Sequence, residues 1–117
     1  MIEELASRVF QARDAAHRAH WKSTSYSQHM ALGAFYDDVI EAIDGIVESY
    51  QGEFGLIGEF QLIVPPVSGM AGYLKVEADW IATNRDKIAR GSCQIQNQLD
   101  SLVSIYRTTV YKLVNLK

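Results

Sequence analysis

The sequence is poor in the residues that mark several large protein classes. Its one cysteine, Cys93, cannot form an internal disulfide, which favours a reducing compartment. No apolar run is long enough to span a bilayer. The amphipathic N-terminal segment lacks the basic start and the apolar stretch of a secretion signal. We therefore expect a cytoplasmic protein that makes no use of a membrane.

Basic residues are also scarce, and they are not clustered. The chain has 11 Lys and Arg against 14 Asp and Glu, a net charge of −3, with the two signs interleaved. Nucleic-acid binding needs a basic face, so we expect no strong nucleic-acid binding. Common enzyme motifs are missing as well. Gly52, Gly55 and Gly58 do not have the spacing of a phosphate-binding loop, and Ser68 lacks the glycine pattern of a nucleophile elbow.

Helix-breaking residues are concentrated in one segment, which leaves room for four helices elsewhere. Both prolines and four of the eight glycines lie within residues 52–69. Outside it, apolar residues recur three and four apart, the spacing of a helix face. Ser25 with Gln28 has the pattern of a capping box. We predict one domain over residues 1–117, with helices at about 2–22, 27–51, 68–90 and 92–115 and a linker at 52–67.

The connection lengths predict how these helices are arranged. The first and last joints are short, so each joins an antiparallel hairpin. A helix of about 25 residues is ~38 Å long, whereas the extended linker reaches ~50 Å. The linker can therefore run the length of the bundle. The predicted fold class is an all-α, ferritin-like four-helix bundle with one long crossover between helices 2 and 3. A plain up-down-up-down bundle with a compact linker stays open.

Several acidic residues are candidates for metal ligands, but not for a site inside one bundle. Ferritin-like di-iron sites need Glu-x-x-His twice, and the sequence contains no Glu-x-x-His. The second helix carries an acidic stripe at spacings of four, three and four: Asp37, Glu41, Asp44 and Glu48. A solvated surface is the ordinary explanation of such a stripe. On the third helix, Glu77, Asp79 and Asp86 are expected to face solvent.

The histidines become candidate metal ligands when two copies of the chain are considered. His29 and Asp44 are 15 residues apart, ~22 Å along one helix, so they cannot share a metal within one chain. If helix 2 packs antiparallel on itself about a two-fold axis near residues 37–38, His29 of one chain meets Asp44 and Glu48 of the other. His20 can complete the cluster. Imidazole with carboxylate suits Fe(II), Zn or Mn, as one ion or two.

These residues resemble a known motif. The tripeptide AHW at residues 19–21, then His29, then Asp44 and Glu48, is similar to the ferroxidase motif of the Dps family, the mini-ferritins also known as starvation-induced DNA-binding proteins. The chain also resembles short Dps-like proteins of tailed phages. The resemblance implies non-haem iron bound by His20 and His29 of one chain and by Asp44 and Glu48 of its two-fold partner. It further implies a homo-oligomer that can extend to a shell, oxidation of Fe(II) by peroxide or oxygen, and Trp21 beside the site.

The chain departs from the Dps pattern in several places. The segment between His20 and His29 is a few residues shorter, so His17 is an alternative ligand one turn earlier. Gly33 stands where Dps proteins commonly offer a further aspartate. The chain is shorter than a typical Dps subunit and lacks a lysine-rich tail. Asp37 and Glu41 are further candidates, as guides for cations. The alternative is a non-enzymatic helical scaffold or binding module that keeps the fold without the chemistry.

Overall fold

The computed structural model describes residues 1–66 and 69–117, and most of them form four α-helices. α1 spans Ile2–Lys22, α2 Tyr26–Phe54, α3 Met70–Ala89 and α4 Cys93–Asn115. No strand occurs among the described residues, so the prediction of an all-helical chain with four helices is confirmed. The expected start of the third helix at residue 68 lies outside the described residues. No described helix is both long and apolar enough to cross a bilayer.

The two ends of α2 are set by different residues. At its start, the Ser25 hydroxyl accepts a hydrogen bond from the Gln28 amide at 3.3 Å, as the capping pattern predicts. At its end, the helix passes through Gly52 and continues three residues beyond the expected boundary at 51. Gly55 ends it instead. Its φ of 102° belongs to the region that favours glycine, and its amide donates to the Gln51 carbonyl.

Each helix packs against two others, so the four helices surround one core. α1 contacts α2 and α3, and α4 contacts α2 and α3. The C-terminal half of the inner face of α1 is made of small residues, which allow a close approach of its neighbours: Ala12, Ala15, Ala16 and Ala19. Large rings on the facing helices fill the space. Phe35 and Tyr106 meet edge to face with ring centroids 4.9 Å apart.

The long connection between α2 and α3 lies along α1. Three hydrogen bonds attach it, and they advance from the start of α1 towards its end: the Gly58 amide to the Glu3 carboxylate at 2.8 Å, the Ser7 hydroxyl to the Gln61 carbonyl at 2.7 Å, and the Arg18 guanidinium to the Pro65 carbonyl at 2.7 Å. The Phe60 ring also meets Phe10 at 5.9 Å. The described part of the connection therefore follows α1 lengthwise.

The start of α3 lies at the end of the bundle where α1 finishes. Ala19 and Lys22 of α1 line a groove together with Gly69 and Met70. α2 and α3 thus run in the same direction, and both are antiparallel to α1. The turn between α1 and α2 lies at this same end, with His20 on one side of it and His29 on the other.

Candidate functional site

The turn between α1 and α2 brings two of the three histidines into direct contact. His20 lies in the last turn of α1 and His29 in the first turns of α2. Their rings stack with centroids 3.6 Å apart and planes inclined by 18°. Both side chains are half-buried. The short segment between them closes the hairpin tightly enough to bring the two imidazoles face to face.

Each of these histidines is held by the backbone of the other. His20 Nδ1 lies 2.6 Å from the His29 carbonyl oxygen, and His29 Nδ1 lies 2.9 Å from the His20 carbonyl oxygen. Because a carbonyl oxygen only accepts hydrogen bonds, each Nδ1 must carry the proton. In the neutral imidazole the lone pair is then on Nε2. Metal-binding histidines have this arrangement, with one ring nitrogen donating to a carbonyl and the other left to the metal.

His17 belongs to a neighbouring cluster of aromatic rings. It stacks on Tyr36 with centroids 4.0 Å apart, and it lies 4.4 Å from the Trp21 ring with the two planes inclined by 45°. Its ring is 6.3 Å from that of His20 and takes no part in the reciprocal hydrogen bonds. The sequence expectation that Trp21 would pack beside the candidate site therefore holds only through His17, one turn earlier.

The acidic residues of α2 are exposed and do not join the histidines within one chain. Asp37, Glu41, Asp44 and Glu48 all face solvent. Among residues 1–66 and 69–117, none of these carboxylates makes an ion pair. Nor does the described chain contain a group of three or more His, Cys, Asp or Glu side chains placed to hold a metal. One chain thus supplies two imidazoles at one end of α2 and a separate row of carboxylates along it.

Large apolar side chains surround the histidine end of the hairpin and are open to solvent. Trp21 is 70% exposed, Tyr26 78% and Met30 52%. Single exposed apolar residues are common, but a group around one turn is typical of an interaction surface. Sequence periodicity could not identify this group, because Trp21 and Tyr26 belong to different helices.

The expectation that Glu77 faces solvent is wrong. Only 6% of this residue is exposed, and its carboxylate accepts a hydrogen bond from Arg8 Nη1 at 2.7 Å. Burial raises the pKa of the Glu77 carboxyl, and Arg8 opposes the change. The Arg8 guanidinium also lies 4.2 Å from the Trp80 ring. The signal was present in the sequence, since position 77 falls on the same helical stripe as Leu74 and Ile81. Asp79 and Asp86 are exposed as expected.

Residues 20–113 match the model of a family of unknown function, DUF5856. The chain belongs to this family. The DUF5856 segment includes His20, His29, Asp44 and Glu48, and it begins after His17. No curated protein and no solved structure matches the chain.

Proposed function

We propose that this protein is a Dps-like mini-ferritin that binds and oxidises Fe(II) at a site shared between two copies of the chain. His20 and His29 come from one protomer, and Asp44 and Glu48 come from its two-fold partner. The observation that carries the proposal is the pair of reciprocal Nδ1–carbonyl hydrogen bonds. They leave Nε2 of both rings available as ligands and fix their orientation before any metal arrives.

The path of the long connection supports a ferritin-like bundle. In that arrangement the first two helices form one hairpin, the last two form another, and a single crossover joins them. Glu3 accepts a hydrogen bond from the linker, and Ser7 and Arg18 donate hydrogen bonds to linker residues further along. This succession is expected for such a crossover. We propose this class for the fold on the basis of that path.

The distribution of charge along α2 supports an antiparallel pairing with a second copy. Its C-terminal half is acidic and contains no lysine or arginine. Lys22 lies beside its N-terminal end, with the histidines and the exposed Trp21, Tyr26 and Met30. A two-fold axis near the middle of α2 would place the acidic half of each chain against the basic and apolar end of the other. Within the ranges 1–66 and 69–117 these carboxylates make no ion pair, so a partner chain could supply one.

The donor set fits the chemistry of Fe(II). Two imidazole nitrogens and two carboxylates suit Fe(II), with Zn or Mn as substitutes, and leave coordination positions for peroxide or oxygen. Iron is the substrate and supplies the electrons. The protein supplies ligand geometry and negative charge, and no catalytic residue beyond the ligands is assigned. Asp37 and Glu41, on the same acidic face, would attract cations towards the site.

Anaerobic loading with Fe(II), followed by peroxide, tests this function. Ferric absorbance is followed against the ratio of iron to subunit. Oxidation faster than a protein-free control supports a ferroxidase site. Oxidation that continues well beyond the number of sites adds a storage shell, and oxidation that stops at stoichiometric iron means a site without a cage. No acceleration over the control contradicts the proposal.

One observation favours a second candidate function, a helical scaffold without metal chemistry. The same histidine contacts also close the hairpin, because His29 Nδ1 satisfies the His20 carbonyl in the last turn of α1. In a scaffold, His29→Ala would loosen the turn and change nothing else. In a metalloprotein it would also abolish metal binding.

A further inference from the structure

The imidazole of His20 rests on a residue without a side chain. A Cβ atom at Gly33 would lie 3.1 Å from His20 Cε1 and 3.3 Å from His20 Nδ1. The second of these atoms is the one that bonds the His29 carbonyl. A side chain at position 33 would therefore crowd the Cε1–Nδ1 edge of this ring.

Gly33 differs in this respect from the other glycines inside the helices. A Cβ atom at Gly52 or Gly72 would meet nothing within 4 Å, and one at Gly45 would make an ordinary contact of 3.7 Å with Gln98. Glycine is a poor residue for a helix interior, where alanine is more stable. Position 33 is in the body of α2, and among these four glycines it is the one where added atoms would press on a ring.

We propose that Gly33 is a positioning residue for the metal site: its missing side chain lets the Cε1–Nδ1 edge of the His20 ring approach α2, where Nδ1 bonds the His29 carbonyl and leaves Nε2 for the metal. The inference rests on the proposed function for its metal-binding consequence. Its structural consequence, the orientation of the His20 ring, exists without any metal.

The effect of a side chain at this position follows from which group can move. The helix backbone around Gly33 is fixed by its hydrogen bonds, whereas the His20 ring is the end of a flexible side chain. A methyl group would therefore displace the ring and spare the helix. A shift of a few tenths of an ångström would be enough, and it would weaken the Nδ1 hydrogen bond and the stacking on His29. Complete loss of such an orienting partner typically lowers metal affinity by about 10–100-fold, which sets the upper limit for this variant.

The test compares Gly33→Ala with Gly52→Ala, a matched control in the same helix with open space around it. Imidazole nitrogen chemical shifts of the metal-free protein report whether His20 carries its proton on Nδ1. Zn(II) titration against a chromophoric chelator reports affinity. We expect the wild type and Gly52→Ala to share the Nδ1–H form and the same affinity. We expect Gly33→Ala to populate the Nδ1–H form less than the wild type does and to lose zinc affinity, with about 10–100-fold as the upper limit and with unchanged helical circular dichroism.

A double-mutant cycle separates positioning from a general effect on the fold. In a His20→Ala background there is no ring to displace, so Gly33→Ala should raise the unfolding midpoint as Gly52→Ala does. If Gly33→Ala keeps both the Nδ1–H form and the zinc affinity, the inference is overturned. If the wild type binds no zinc, the proposed function fails, and the state of the His20 ring in metal-free Gly33→Ala decides the inference about Gly33.

Discussion

The acidic residues on the outer face of α2 differ from those on the opposite side of the bundle in whether they form ion pairs. On α3 and α4, Arg85 holds Asp100 through two hydrogen bonds of 2.6 and 2.9 Å, and Arg107 lies 3.6 Å from Asp79. α2 carries six acidic residues and no lysine or arginine: Asp37, Asp38, Glu41, Asp44, Glu48 and Glu53. None of these six makes an ion pair among the described residues.

This difference concerns which acidic side chains have ion-pair partners within their own chain. Acidic groups on α3 and α4 have basic partners in the same chain. The row on α2 has no ion-pair partner among the described residues, and it lies on the same helix as His29, whose Nδ1 bonds the His20 carbonyl. Cations and a second protomer are the partners that would balance such a face. The predictions below alter one side at a time.

The largest effect is expected from removing a histidine of the reciprocal pair. His29→Ala deletes one ligand and the ring that stacks on His20, whereas the backbone carbonyl at position 29 that accepts from His20 Nδ1 remains. Because a direct ligand is lost, zinc affinity should fall by more than the roughly 10–100-fold cost of a lost orienting partner. His17→Ala is the matched control, since that ring stacks on Tyr36 and lies outside the pair. Isothermal titration calorimetry measures both. An equal loss in His17→Ala would make His17 the ligand in place of a member of the pair.

Breaking the charge pair on the other side should change stability and leave metal binding intact. Arg8→Met leaves the buried Glu77 carboxylate without its partner, and a fully buried pair broken in this way costs roughly 3–5 kcal/mol. We expect about 2–3 kcal/mol here, because Arg8 is partly exposed and Glu77 can take up a proton. Chemical denaturation at neutral pH measures the loss.

The same variant predicts a pH dependence with a definite sign. Burial already raises the pKa of Glu77 in the folded state, so the folded protein holds this proton more tightly than the unfolded chain. Stability from the bound proton is present at acidic pH and is lost as pH rises through the folded-state pKa. Without Arg8 that pKa rises further. The deficit of Arg8→Met should therefore shrink as pH falls towards 4.5, and a deficit independent of pH would contradict this account.

Neutralising acids on the two sides should have unequal effects on association. Asp44→Asn with Glu48→Gln removes two charges from α2, and Asp79→Asn with Asp100→Asn removes two from α3 and α4. Exposed ion pairs contribute roughly 0.2–1 kcal/mol each, so four across a two-fold interface give about 1–2 kcal/mol, or about tenfold in the dimer Kd. Sedimentation at low salt should show this weakening for the α2 variant alone. An equal change in the dimer Kd of the two variants would mean that α2 does not form the interface.

The smallest effect is expected at a polar group in the core. Tyr106 is fully buried, and its hydroxyl has no hydrogen-bond partner within the described residues. Burial raises its pKa well above the ordinary value. Because an unpaired buried hydroxyl is unfavourable, Tyr106→Phe should leave stability unchanged or raise it by up to about 1 kcal/mol. A clear loss in thermal unfolding would mean that the hydroxyl is bonded in solution.

Much of the helical layout could be predicted from the sequence. Apolar spacing and the grouping of Pro and Gly in residues 52–69 mark four helices, because periodicity and helix breaking are local effects. The end of α2 was missed by three residues, since Gly52 looks like a stop and Gly55 is the one with positive φ. The burial of Glu77 was missed because burying a charged side chain is costly unless it is paired. Its partner, Arg8, is 69 residues away in the sequence.

The candidate site was only partly within reach of sequence reasoning. Spacing along α2 was enough to exclude a site within one chain. The contact between His20 and His29 depends on the geometry of a three-residue turn, and their carbonyl bonds depend on ring orientation, which no residue pattern specifies. In the sequence, Gly33 was interpreted as a position where a metal ligand of the Dps family is missing. In the structure, the absence of a side chain at Gly33 allows the His20 ring to approach α2.

The shared site is tested most directly by combining two inactive proteins. His29→Ala and the Asp44→Asn, Glu48→Gln double variant are co-expressed with different affinity tags, and the mixed dimer is isolated and titrated with Zn(II). A mixed dimer contains one site with His29 from one chain and both carboxylates from the other. The account predicts that it regains binding at half the sites of the wild-type dimer, although neither parent binds. A mixed dimer as inactive as its parents would contradict a site shared between chains.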